Sequence, residues 1–243
     1  MQKSTITDPR ASYGAEAWER ETYSNVYSVP GPPFPGWLHR QPAVLPPRTA
    51  RAPQYTLVLD IDGTMTYTSR CGQDRDDVGR LKDRAGKCLY VYDRPFLKEF
   101  LKRVARKYEL IVYTAAAQSY AEGILTHLNL QQDEPVFNLK SILHRDHCLL
   151  KGGYKIKCLA KVGRDMSKTI FLEDNQRNAA YNWPNVIYVN EWSGAPDDNT
   201  LEPLLPFLEA IVDFQHNDVR PVIQHYGPIS TVYRLKEDGY WDH

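Results

Sequence analysis

Several things are scarce in this chain, and each shortage excludes something. Its 243 residues include four cysteines, Cys71, Cys88, Cys148 and Cys158, with no CxxC spacing among them. In a chain of this length that argues against a disulfide-built fold and for reduced thiols in an intracellular compartment. Neither sign of charge is in excess, with 30 Lys+Arg against 30 Asp+Glu. The overall basic surface of a nucleic-acid binder is therefore missing, and no nucleic-acid partner is expected. No run approaches the roughly 20 apolar residues of a spanning helix, so no transmembrane span is expected. The N-terminus lacks the apolar core of a secretory signal. Asp8, Glu16, Glu19 and Glu21 interrupt any basic transit helix. No internal repeat is visible.

What is present suffices for one α/β domain and a tail, at 42% hydrophobic and 25% charged residues. Residues 1–53 hold nine of the seventeen prolines, together with Trp18, Tyr23, Tyr27, Phe34 and Trp37. Proline runs favour extended segments, and the aromatics are too apolar for a free linker. An extended arm lying on its own domain or on a partner is expected there. The domain proper is expected over 54–215 and a basic-aromatic tail over 216–243.

Residues 54–68 read QYTLVLDIDGTMTYT. The short β-branched run Tyr55–Leu59 predicts a strand buried on both faces of a parallel sheet. Asp60 then falls at the carboxyl edge, where open α/β sheets bind ligands. Two carboxylates, Asp60 and Asp62, are costly at a buried strand end unless a cation compensates them. One can then act as nucleophile and the other as acid/base. Ser69–Lys87 is a polar excursion, and Cys88–Tyr92 predicts a strand closing it. Arg94–Lys107 predicts a helix with Pro95 in its first turn. Further strands are expected over Tyr108–Tyr113, Lys168–Asn175 and Val186–Val189, with helices over Gln118–Leu128 and Thr200–Val212. The alternation is that of a doubly wound parallel sheet.

Three of these strands end in polar residues: Asp60/Asp62, Thr114, and Glu173/Asp174. Along one sheet edge they would form an oxygen-rich pocket fit for Mg²⁺, which takes one or two carboxylates with waters and phosphate oxygens. Thr114 can donate to a phosphoryl oxygen and Lys157 can neutralise its charge. His144, His147 and Cys148 lack a fourth ligand for zinc. The HRD at His144–Asp146 lacks the glycine-rich loop of a kinase.

DIDGT, YTAAAQSYAEGIL, KCLAKVGRD and FLEDN stand in the order of the four motifs of haloacid-dehalogenase-type phosphatases. From Tyr55 to about Ile211 the chain resembles the NLI-interacting-factor-like branch, which contains the small phosphatases of the RNA polymerase II C-terminal domain. LHRDHCLLKGGY, EWSGAPDDNTLEPLLPFLEAI and DVRPVIQHYG are similar to the receptor subunits of the mitochondrial presequence translocase. The resemblance implies a HAD-like Rossmannoid sheet, with Asp60 as nucleophile and Asp62 as acid/base. It implies Mg²⁺ held by Asp60, the Asp62 carbonyl and Asp174, with Glu173 or Asn175 as alternatives. Thr114 and Lys157 would bind the phosphoryl group, although an extra residue near Lys155–Lys157 leaves a second lysine in contention. Glu173 replaces the usual Asp, Gly63 an acidic residue, and Cys158 the Asp that often follows the lysine. Two functions follow from the resemblance. One is a phosphatase acting on phosphoserine or phosphothreonine in proteins. The other is a docking subunit of a translocase or another large mitochondrial assembly. The compartment is mitochondrial on the second likeness and nuclear or cytoplasmic on the first. A phosphotransferase or phosphonatase would need an enclosing cap, which the short excursion does not supply.

Overall fold

The computed structural model describes residues 40–72, 78–83 and 85–226. Most of the expected arm, residues 1–39, and residues 227–243 of the expected tail lie outside the described residues.

The first strand, β1, is Tyr55–Leu59, and all five of its residues are buried. β2 (Thr66–Ser69), β3 (Gly79–Lys82) and β4 (Cys88–Asp93) follow. They form an antiparallel sheet in the order β2-β4-β3, so the polar excursion is a small sheet of its own. Helix α1 (Leu97–Val104) buries Leu97, Phe100, Leu101 and Val104, spaced one turn apart. It begins three residues later than Arg94, where a helix was expected to start. Phe96 holds a left-handed φ of 68°, which a helix cannot continue through. β5 (Tyr108–Tyr113), α2 (Gln118–Leu130) and β6 (Ile142–Leu143) come next. β7 (Leu149–Lys151) and β8 (Tyr154–Ile156) form a hairpin. Its turn residues Gly152 and Gly153 have φ of 57° and 81°, the positive values a tight hairpin turn requires. The chain closes with β9 (Thr169–Glu173), α3 (Gln176–Ala179), β10 (Val186–Tyr188), α4 (Leu201–Asp213) and α5 (Val219–Tyr226).

The central sheet runs β10-β9-β1-β5-β6 with every pairing parallel. Alternation along β1 sends Leu57 and Leu59 to one face and Val58 to the other. The first face packs on α1, α2, α4 and α5 through Phe100, Leu125, Leu208 and Val222. The second packs on Leu159, Val162, Ala179 and Leu45. Leu45 belongs to a segment anchored by Val44 N donating to Lys161 O at 2.7 Å and Arg164 Nη1 donating to Pro46 O at 2.9 Å. At the other end, α5 buries Val219, Val222 and Ile223. Ordered core packing therefore continues beyond residue 215 to this helix, where the residues from 216 on were expected to form a tail.

Candidate active site

Leu59 pairs with Val112 on one side and Leu172 on the other, so the next residues meet at one edge of the sheet. Asp60 continues the ladder, its N–H donating to Leu172 O at 3.1 Å. Lys157 arrives from the end of β8 and is fully buried. Its Nζ donates to Asp60 Oδ1 at 2.5 Å and to Glu173 Oε2 at 2.6 Å. Its backbone is held on both sides, the N–H by Asn178 O and the carbonyl by Asn182 Nδ2. Lys157, not Lys155, is thus the inward lysine; Lys155 sits half-buried on the hairpin.

Burial alone would pull the Lys157 ammonium down, but the Asp60 and Glu173 carboxylates overcome it and hold it charged, above its ordinary value. Burial pushes Glu173 up and the charge of Asp60 adds to this, while Lys157 opposes both. Asp174, next in sequence, is pushed up to about 6, first by burial and then by Asp60. Carboxylate oxygens of Asp60, Glu173 and Asp174 lie within 4.8 Å of one another. Three clustered carboxylates face one ammonium, an imbalance that an oxygen-loving divalent cation would offset. The donor set therefore fits Mg²⁺ on its own chemistry.

Asp62 stands off from that cluster. Its Oδ1 accepts from Tyr120 Oη at 2.5 Å, and Tyr120 Oη is 3.2 Å from Thr68 Oγ1 on β2. Asp62 is exposed at the surface, yet the protein packed around its carboxyl partly desolvates it and raises it to about 6, with the Tyr120 bond pulling the other way. That places it in the range useful to a general acid or base near neutral pH. Gly63 turns the chain with φ 77°. A Cβ there would meet Asp174 Oδ2 at 2.5 Å, so only glycine lets the turn and the carboxylate approach. Thr64 Oγ1 donates to Asp174 Oδ1 at 3.2 Å.

Thr114 is buried beyond β5, its Oγ1 accepting from Ala116 N at 3.0 Å, which leaves the O–H hydrogen to donate. The Asn175 side-chain oxygen caps α3 by accepting from Arg177 N and Asn178 N, while its backbone N–H donates to Glu173 Oε1 at 3.1 Å. His144 and His147 pair with each other, His144 N donating to His147 Nδ1 at 3.0 Å. They form no ligand group with Cys148 among the described residues. A separate open cleft of about 470 Å³ lies at the start of α2, lined by Ala117, Gln118, Ser119 and Arg145 among others, and none of the site residues lines it.

Two groups at the site escaped the reading of the sequence. Tyr120 sits on α2, where it looked like an ordinary helix residue. Arg94, only 1% exposed, looked like a helix start and is instead folded beneath the Gly63–Thr64 turn, donating to both carbonyls and to Asp198. An arginine just outside an amphipathic stripe, with an Asp-Asp pair before a later helix, is the only sequence signal for that pair.

The NLI interacting factor-like phosphatase family model matches residues 55–220. CTD small phosphatase-like protein 3 of Caenorhabditis elegans is 33% identical over 202 residues, 82% of this chain and 66% of that protein. Mitochondrial import inner membrane translocase subunit TIM50 of Kluyveromyces lactis is 32% identical over 133 residues, 55% of this chain and 27% of that one. The chain spans less than two thirds of the length of these relatives. The solved structure of Fcp1, an essential RNA polymerase II CTD phosphatase, overlaps at a TM-score of 0.48 and 18% identity, over 76% of this chain and 61% of that one. With 166 consecutive residues matched out of 243, the chain belongs to the NLI interacting factor-like phosphatases.

Proposed function

We propose that the chain is a Mg²⁺-dependent phosphatase that cleaves phosphoserine or phosphothreonine esters in proteins, with Asp60 as nucleophile. The observation that carries this reading is the Asp60–Lys157–Glu173 cluster, with Asp174 beside it, at the carboxyl edge of a parallel sheet. Asp60, the Asp62 carbonyl and Asp174 would hold the metal. When bound, Mg²⁺ supplies positive charge between the anionic nucleophile and the anionic phosphoryl group. The chain's own residues do the rest. Lys157 and Thr114 bind phosphoryl oxygens. An Asp60 oxygen forms a bond to phosphorus as the bond to the substrate alcohol breaks, and Asp62 gives its proton to the leaving oxygen. A water then gives a proton to Asp62 and attacks phosphorus, releasing phosphate and restoring Asp60.

The test is turnover of a small aryl phosphate with and without Mg²⁺, in the wild type and in Asp60→Asn. Metal-dependent turnover lost in the variant supports the reading; equal rates with and without Asp60 sink it.

A second reading is favoured by the translocase relatives. On that likeness the chain is a docking subunit of a mitochondrial inner-membrane translocase or a similar assembly, and resides in mitochondria. The small-phosphatase relatives support a nuclear or cytoplasmic protein instead. Purification of tagged protein under mild conditions separates the readings, since recovery as a monomer alone contradicts the subunit. An intact site excludes neither, because fold does not fix function.

A further inference from the structure

We infer that Arg94 is a positioning residue for the site, and that with Asp198 it sets the height of the Gly63–Thr64 turn against the Asp174 carboxylate. The inference rests on the phosphatase reading for its kinetic consequence, and on geometry alone for its effect on metal binding.

Arg94 lies between β4 and α1, 1% exposed, where an unpaired guanidinium would be very costly. It is instead saturated. Nε and Nη2 donate to the two oxygens of Asp198, each at 2.8 Å, in the paired geometry that guanidinium and carboxylate favour. Asn190 O at 3.0 Å and Thr200 Oγ1 at 2.9 Å both lie within reach of the other Nη2 hydrogen. Thr200 N and Oγ1 in turn donate to Asp198, fixing the carboxylate that receives the arginine. The remaining arm, Nη1, reaches the site. It donates to Gly63 O at 3.2 Å and Thr64 O at 3.1 Å.

Three more bonds make this turn rigid. Arg94 N donates to Met65 O at 3.0 Å, Trp192 N to Gly63 O at 2.8 Å, and Gly63 N to Thr66 O at 2.9 Å. The turn carries two of the contacts that place Asp174, which also bonds the Glu173 and Asp60 side chains. Thr64 Oγ1 donates to its Oδ1, and the bare Cα of Gly63 lies against its Oδ2. Asp62 directly precedes the turn. A shift of the two carbonyls therefore moves a metal oxygen and the acid/base together. Arg94 touches no reacting atom, so its role is to hold the others.

A lysine at 94 carries charge but cannot span the carboxylate and both carbonyls. Arg94→Lys and Asp198→Asn should each weaken Mg²⁺ binding by roughly 10- to 100-fold, the usual cost of removing the support behind a metal ligand. Mg²⁺ affinity of the full chain is measured by calorimetry, and kcat and KM on an aryl phosphate in parallel. Arg164→Lys is the control. Arg164 grips Glu109 with two bonds of 2.8 Å at the far, amino-terminal end of β5, so it loses a similar pair without touching the turn. The inference expects weaker Mg²⁺ binding and lower kcat at unchanged KM in the Arg94 and Asp198 variants, and wild-type values in the control. If Arg94→Lys does not fold, Asp198→Asn, which keeps the side-chain volume, carries the test. Variants at 94 or 198 that bind Mg²⁺ within twofold of the wild type overturn the inference, as does an equal loss in the Arg164 control. Wild-type protein that binds Mg²⁺ but turns over nothing defeats the phosphatase reading, and the metal affinities still decide the role of Arg94.

Discussion

Tyr120 Oη donates to Asp62 Oδ1 at 2.5 Å, joining helix α2 to the second aspartate of the DIDGT turn. This bond holds the Asp62 carboxyl lower than desolvation alone would. Removing it in Tyr120→Phe should raise the Asp62 carboxyl further. A general acid works while protonated, so the alkaline limb of the rate profile should move to higher pH. A pH–rate profile with an aryl phosphate checks this; an unmoved limb contradicts the role of the bond.

Lys157 is the sole cation bonded to Asp60 and Glu173 among the described residues, and all three are buried. Lys157→Met leaves two carboxylates without their partner. Breaking a buried ion pair from one side typically costs about 3–5 kcal/mol. Urea unfolding should show a loss of that order, and adding Glu173→Gln should recover part of it. A neutral result in the single variant would show that the pair is not charged in the folded protein.

Gly63 turns with φ 77°, and a Cβ there overlaps Asp174 Oδ2. Gly63→Ala combines backbone strain with a displaced carboxylate, and strain of this kind costs on the order of 1–3 kcal/mol. The variant should melt lower and bind Mg²⁺ more weakly, by thermal unfolding and calorimetry. A lower melting point with wild-type Mg²⁺ binding would separate the turn from the metal ligands.

The Arg94 guanidinium beside Asp198 holds its carboxyl below the ordinary value of 3.8. A depressed carboxyl adds stability above its unfolded pKa, and the gain disappears as pH falls through the folded value. The stability gap between wild type and Asp198→Asn should therefore be full at neutral pH and shrink below about pH 4. Denaturant titrations across that range measure it; a constant gap contradicts the linkage.

The strands were legible wherever a short apolar run carried the signal. Tyr55–Leu59 and Tyr108–Tyr113 are strands over those same residues, because burial on both faces demands such runs. The polar residues following them announced the site edge for the same reason. Long-range partners were not legible. Arg94 and Asp198 are 104 residues apart, and no local pattern says that one will be folded under a turn by the other. Phe96 hid the true helix start, since a left-handed phenylalanine is set by its surroundings and not by its own preference. The helix at Val219–Tyr226 does carry a local signal. Val219, Val222 and Ile223 stand at helical spacing, and they are buried.

The central claim is that Asp60 carries the phosphoryl group. Protein quenched during turnover and reduced with borohydride would convert an aspartyl-phosphate into homoserine, which peptide mass spectrometry locates. The account predicts homoserine at position 60, with Mg²⁺ and substrate both required. Sustained turnover with Asp60 unmodified would contradict it.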